Sequence, residues 1–243
     1  MKNKLISTSA KRKREIDSNL ITASYTPDYI NEIFRSLRTK ITLALHECED
    51  KSVIFTSLDM EVGKSTLSSN VAITIAQQDL KTVLIDGDIR RGVLHNLFVL
   101  NKSMGLSDYL SSDVSVNKET MAVLFQKTHV PNLTVISSGQ NVPNPSELLT
   151  SKRFRELKRL LSEHFDVIIF DSPPLGAVTD AVVMHELFSK YVIIAKAGET
   201  NIIDLNKKID EFPVIKQKII GIVLNQALVD RKIQYYKYSN YKY

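Results

Sequence analysis

Lys51–Asn70 reads KSVIFTSLDMEVGKSTLSSN. Ser52 to Thr56 is a short apolar run rich in β-branched residues and bounded by polar ones, the pattern of a buried strand. Gly63-Lys64-Ser65-Thr66 follows, and from Leu67 to Gln77 the spacing of Leu67, Val71, Ile73 and Ile75 predicts a helix. Strand, turn, GKST and helix form the layout of a phosphate-binding loop. Free backbone N–H groups and the helix dipole make an anion site there. Lys64 reaches the outer phosphates, and the Ser65 hydroxyl is placed for Mg²⁺. The loop departs from the full pattern: Leu58 stands where the first glycine belongs, and Asp59 and Glu61 bring two anions to an anion site.

Working outward, Lys81 to Ile85 is a second strand ending in Asp86-Gly87-Asp88-Ile89-Arg90, and FDVIIFDSPP at 165–174 is another strand ending in Asp171. Carboxylates at the carboxyl ends of buried strands lie where open α/β sheets place ligands. Two of them beside a phosphate site point to metal binding or general-base work; a helix cap plus a surface acid is the plain alternative. Gly87 is expected to lend the backbone freedom between Asp86 and Asp88. Further strands are expected at Leu133–Ile136, Tyr191–Ala195 and Lys218–Leu224, the last closing on Asn225. Helices are expected at Tyr29–Glu47, Leu106–Leu110, Glu119–Gln126, Ser146–Phe165, Thr179–Phe188 and Ile202–Phe212. This alternation predicts an α/β fold with a doubly wound, mainly parallel sheet.

With 243 residues, 43% hydrophobic and 24% charged, the chain can bury one large core. The single Cys48 excludes an internal disulfide framework and suits a reducing compartment. No apolar run reaches the length of a membrane span, so a cytoplasmic location is expected. The net charge of +5 is concentrated at the ends, in Lys11–Arg14 and in Arg231, Lys232, Lys237 and Lys242. Such ends suit an anionic membrane surface or nucleic acid, or are simply solvated. Residues 1–28 read as a flexible or draped arm, 29–228 as one domain, and 229–243 as a tail. Five of the nine tyrosines, Tyr235, Tyr236, Tyr238, Tyr241 and Tyr243, crowd that tail. Exposed tyrosines suit phosphorylation; interleaved with lysines they also suit stacking on single-stranded nucleic acid. On the first helix Glu32, Arg35 and Arg38 share one side, as a solvated face or an interface.

Taken together these residues resemble the bacterial tyrosine-kinase family, the cytoplasmic kinases of capsule and exopolysaccharide synthesis. The resemblance runs from about Tyr29 to the end of the chain. It rests on the Glu32–Arg35–Arg38 helix, GKST, Asp-x-Asp-x-Arg at 86–90, SSGQNVPNPSELL at 137–149, FDVIIFDSPP, Val178-Thr179-Asp180-Ala181, GIVLN at 221–225 and the tyrosine-rich tail. It implies a P-loop NTPase fold and makes 29–228 a kinase domain using ATP and Mg²⁺. Gly63, Lys64, Ser65 and Thr66 would hold the phosphates, with Lys64 on the β- and γ-phosphates. Ser65, Asp88 and Asp171 would hold the metal, and Asp86 would accept the tyrosine proton. Asn225 would read adenine, and the tail tyrosines would be the autophosphorylation cluster.

The resemblance also implies a homo-oligomeric ring contacting through Glu32, Arg35 and Arg38. It implies peripheral recruitment to the inner face of the membrane by a separate membrane-bound activator, and no nucleic-acid partner. The family usually has Pro-Gly where this chain has Met60-Glu61. A non-catalytic or weakly active scaffold is one alternative. A partitioning-type ATPase switch is another, weakened because that group carries a signature lysine where Asp59 stands.

Overall fold

The computed structural model describes residues 17–22, 26–102, 104–113, 118–175 and 180–227. In chain order the elements are α1 (Asp28–His46), β1 (Ser52–Ser57), α2 (Lys64–Ala76), β2 (Thr82–Asp86), α3 (Leu94–Leu97), α4 (Leu106–Ser111), α5 (Lys118–Leu124), β3 (Gln126–Lys127) and β4 (Leu133–Ile136). They continue with α6 (Pro145–Thr150), α7 (Lys152–His164), β5 (Val167–Asp171), α8 (Asp180–Val183), a 3₁₀ turn at Met184–Glu186, β6 (Lys190–Lys196), α9 (Ile202–Asp210), α10 (Pro213–Lys216) and β7 (Ile219–Asn225).

One seven-stranded sheet has the order β3-β4-β2-β5-β1-β6-β7, parallel except for the short β3. β1, β2 and β5 are buried along their whole length, as parallel strands covered on both faces must be. The period of two then sorts their side chains. Ile54, Ile168, Phe170 and Ile193 enter one core, beneath α4, α6, α7 and α9. Val53, Phe55, Ile169, Val192 and Ile194 enter the other, beneath α1 and α2. The expected doubly wound architecture is therefore present.

Three local expectations are corrected. Ser146–Phe165 is not one helix. It breaks at Ser151, whose backbone is extended (φ −63°, ψ 155°) and whose hydroxyl accepts from Phe154 N–H to start α7 afresh. The helix expected over Thr179–Phe188 is a single turn, α8, running into the 3₁₀ turn. Gly87 has no positive φ. It is needed for space, because a Cβ there would stand 2.1 Å from the Phe170 ring.

The N-terminal arm is draped where it is described. Leu20 is fully buried, Asn70 Oδ1 accepts from Ile21 N–H at 2.9 Å, and Asn70 Nδ2 donates to Asn19 O at 3.0 Å. That cover explains why α2 is buried on every side from Leu67 to Ala76.

Candidate active site

β1 releases the chain at the carboxyl edge of the sheet, and the loop from Leu58 to Val62 leads into α2. Gly63 takes φ +87° just before Lys64, a left-handed conformation that glycine adopts without penalty. Asn225, at the end of β7, donates to Val62 O at 2.8 Å and accepts from Gln226 N–H at 2.9 Å. A Cβ on Gly63 would meet its amide at 2.3 Å. Asn225 therefore pins the loop from β7, two strands away from β1 in the sheet, and one Nδ2 hydrogen is left for any contact to a base. The other loop residue with positive φ is Glu61, at +58°. This costs a side-chain-bearing residue about 1 kcal/mol or more. The Glu61 side chain is exposed.

The loop forms one wall of a cleft of about 330 Å³ lined by Met60, Glu61, Gly63, Lys64, Ser65 and Thr66 from the loop and α2. Asp88, Arg91, Val93 and Pro174 face them. Of the predicted site residues, Gly63, Lys64, Ser65, Thr66 and Asp88 line this cleft. Asp86 and Asp171 lie beneath it as register partners at the ends of β2 and β5.

Both carboxylates are out of contact with water. Burial first, and the Asp171 charge next, push the Asp86 carboxyl well above the usual carboxylate range, against one hydrogen bond from Leu94 N–H at 3.0 Å. Burial pushes Asp171 up to about 6, opposed by the Lys64 ammonium and by the nearby Ser65 and Ser68 hydroxyls. Even so, both Asp171 oxygens and Oδ1 of Asp86 lack a well-formed hydrogen bond. Orphaned buried oxygens cost free energy and call for a partner.

That partner fits Mg²⁺. No group of three or more His, Cys, Asp or Glu forms a metal cage among the described residues. Mg²⁺ needs none, since it binds through one or two carboxylates together with water and substrate phosphate. Ser65, Asp88 and Asp171 are the residues that would hold it.

Arg91, and Ser138 within the quoted stretch 137–149, received no role from the sequence. Arg91 lines the cleft, its guanidinium 3.6 Å from Met60 Sδ, whereas Arg90 of the quoted motif does not line it. For Arg91 the available signal was Asp88 three residues before it, the start of an Asx turn in which Asp88 Oδ1 accepts from Arg91 N–H at 3.0 Å. Glu32 and Arg35 pair with each other at 2.5 Å on exposed α1, while Arg38 turns inward and donates to Thr74 O of α2 at 3.2 Å. Tyr235, Tyr236, Tyr238, Tyr241 and Tyr243 lie outside the described residues, as do Val178 and Thr179. No helix among the described residues is long and apolar enough to cross a membrane.

Comparison with known proteins agrees with this geometry. The ParA model, described as NUBPL iron-transfer P-loop NTPase, matches residues 50–237. The chain is 36% identical over 229 residues to the putative tyrosine-protein kinase CapB of Staphylococcus aureus, covering 94% of this chain and 98% of that protein. It belongs to the bacterial tyrosine-kinase family. The tyrosine-protein kinase YwqD of Bacillus subtilis is 32% identical, with 94% of each chain covered.

Among solved structures, the chimerical protein CapA2B2 superposes with a TM-score of 0.78 at 31% identity, over 88% of this chain and 92% of that one. The kinase domain of Escherichia coli ETK gives 0.73 at 34%, over 82% and 78%. The chain spans about a third of the full-length Escherichia coli kinase. The septum-site protein MinD of Pyrococcus horikoshii, at 17% identity and a TM-score of 0.57, shares the fold. This member of the tyrosine-kinase family is thus a ParA-type P-loop NTPase with a nucleotide-binding fold.

Proposed function

We propose that the cleft binds Mg·ATP and that this chain transfers the γ-phosphoryl group to tyrosines of its own C-terminal tail. The observation that carries the reading is the convergence of Lys64, Asp86, Asp88 and Asp171 at one edge of the sheet, with the buried carboxylate oxygens left without partners. Bound Mg²⁺ would supply charge neutralisation for the β- and γ-phosphates.

The chain's own residues do the rest. The loop N–H groups at the start of α2 cradle phosphate oxygens, and Lys64, only 8% exposed, places its ammonium on the outer phosphates. Asp86 accepts the phenolic proton as the tyrosine oxygen bonds to the γ-phosphorus and the bond to the β,γ-bridging oxygen breaks, with ADP leaving. Its upward-shifted carboxyl is better suited to holding that proton than an ordinary surface carboxylate.

Burial removes two tyrosines as acceptors. Tyr109 is 1% exposed, and Tyr191, fully buried, donates its hydroxyl to Ala181 O, so neither can reach a γ-phosphate. Tyr29 is exposed on α1, so burial does not choose between it and the tail; the crowding of Tyr235, Tyr236, Tyr238, Tyr241 and Tyr243 in one short segment makes those five the candidates. Relatives named tyrosine-protein kinase support this reading.

A membrane-bound activator and a cytoplasmic location at the inner membrane face, in capsule or exopolysaccharide synthesis, belong to the same proposal. So does a homo-oligomer contacting through the α1 face that carries Glu32 and Arg35. The test is phosphotyrosine on the purified chain after incubation with Mg·ATP, with and without an activator peptide. Phosphate should map to Tyr235–Tyr243 and vanish in Asp86→Ala. Its absence from the wild-type chain under both conditions would remove the kinase reading. A weakly active scaffold would then stand, favoured by the strained, anionic Glu61 in the loop.

A further inference from the structure

The segment Ser137-Ser138-Gly139-Gln140, which follows β4, has no part in the chemistry described so far. It is held firmly from α4. Leu106 N–H donates to Ser137 O at 2.8 Å and Ser107 N–H to Ser138 O at 3.0 Å. The Ser107 hydroxyl donates to Gln140 O at 2.6 Å, and Asp108 Oδ2 accepts from Gln140 N–H at 3.2 Å. The backbone of Ser138 is therefore fixed, yet its hydroxyl is fully buried and has no hydrogen-bond partner. A buried, unpaired hydroxyl in an otherwise satisfied loop is costly and needs a reason.

Its neighbour supplies one. A Cβ placed on Gly92 would stand 2.1 Å from Ser138 Oγ and 2.7 Å from Asp86 Oδ2. The hydroxyl and the carboxylate thus face one another across a residue that has no side chain to separate them. Oδ2 already accepts from Leu94 N–H at 3.0 Å, and Oδ1 is free. We propose that Ser138 is a positioning residue for phosphoryl transfer: its hydroxyl donates to Asp86 Oδ2, directly or through one water, and leaves Oδ1 as the proton acceptor. A second donor on Oδ2 fixes the plane of the carboxylate, which Leu94 N–H alone does not. Loop Ser137–Gln140, anchored by α4, becomes a support for the base. The inference rests on the reading of Asp86 as that base.

The test is single-turnover phosphotransfer by the full chain at saturating Mg·ATP, with melting temperatures in parallel. Ser138→Ala should slow transfer about tenfold and leave the KM for ATP within about twofold of wild type, with the melting temperature confirming a folded chain. A lower rate at an unchanged KM in the folded variant separates positioning of the base from a general packing defect. Ser138→Cys keeps most of the volume, weakens the donor and should shift the rate in the same direction. In an Asp86→Asn background the Ser138→Ala change should be silent, since the group it orients has gone. A wild-type rate in Ser138→Ala or Ser138→Cys would overturn the inference, as would equal slowing in the Asp86→Asn background. If Asp86→Asn itself transfers phosphate at the wild-type rate, the base assignment fails instead. An inactive Asp86→Asn beside a fully active Ser138→Ala sinks only the role given to Ser138.

Discussion

The two ends of the same sheet treat buried charge in opposite ways. At the amino end, Lys158 of α7 is buried, yet its ammonium meets Asp50 at 2.7 Å and Ser162 at 3.2 Å and lies 5.2 Å over the Phe188 ring. Burial lowers its pKa, and Asp50 offsets part of that. Ser162 and Ser189 add bonds to Asp50, and Lys81 N–H donates to Asp166 at 2.8 Å. At the carboxyl end, Asp86, Asp171 and Ser138 are equally buried and keep oxygens unpaired. One end uses its polar groups to fasten helix to strand. The other stores unsatisfied groups where a ligand is due, the pattern expected when stability is given up for function.

Breaking the unsatisfied end should produce the largest effects. Lys64→Met is expected to lower phosphotransfer by about 10²–10³-fold and to weaken Mg·ATP binding, because the buried ammonium stabilises developing charge. Isothermal calorimetry and phosphotyrosine formation check the two parts. Asp86→Asn should lose transfer by about 10²–10⁴-fold while Mg·ADP binding persists and the melting temperature rises, since one of two facing buried carboxylates is removed. Loss of stability in Asp86→Asn would place Asp86 with the structural groups.

The satisfied end should behave in the reverse manner. Asp50→Ala strands a buried ammonium, a change of about 3 kcal/mol at the low end for such pairs because Asp50 is partly exposed. In a chain of this size that is roughly 6–12 °C in melting temperature. Transfer rates per folded molecule should not change. A kinetic defect in folded Asp50→Ala would mean the two ends are coupled.

Titration sharpens the contrast further. Asp171 has its folded-state pKa raised to about 6 from the ordinary aspartate value of 3.8. Between those values the folded protein holds a proton that the unfolded chain has lost, so this group's contribution to stability falls as pH rises toward 6. By linkage the change amounts to about 3 kcal/mol at most. In EDTA, the stability advantage of Asp171→Asn over wild type should therefore grow from pH 4 to pH 6.5. Chemical denaturation at each pH measures it, and a constant difference would show that Asp171 titrates normally.

The smallest effect concerns the loop. Glu61→Gly removes both the positive-φ penalty and a charge beside the phosphates, together about 1–2 kcal/mol. It should tighten Mg·ATP binding several-fold. Glu61→Gln should recover most of that gain if charge is the cause, and little if the backbone is.

Much of this molecule is legible in one dimension. Leu133–Ile136 is a strand in the structure as expected, and Ser52–Thr56 lies inside β1. GKST opens α2, with Lys64 as its first residue. Each depends on neighbours a few residues away, so local pattern suffices. Ser151 shows where pattern alone misleads, because Leu148, Leu149, Phe154, Leu157 and Leu161 read as the inner face of one helix although a side-chain cap at Ser151 divides α6 from α7.

The amino-acid sequence by itself determined a phosphate loop at the head of a parallel sheet, acids at its strand ends, and a tail crowded with tyrosine. Tertiary structure alone decided that Asp86 and Asp171, 85 residues apart in sequence, are register partners. It also decided that Asn225 clamps the loop, that Arg91 rather than Arg90 lines the cleft, and that Ser138 faces Asp86 across Gly92. The reason is physical. Helix and strand follow from periodicities within one segment. A carboxylate's pKa and its partners depend on which strands become neighbours and on how much water they exclude, and that is settled only when the sheet closes.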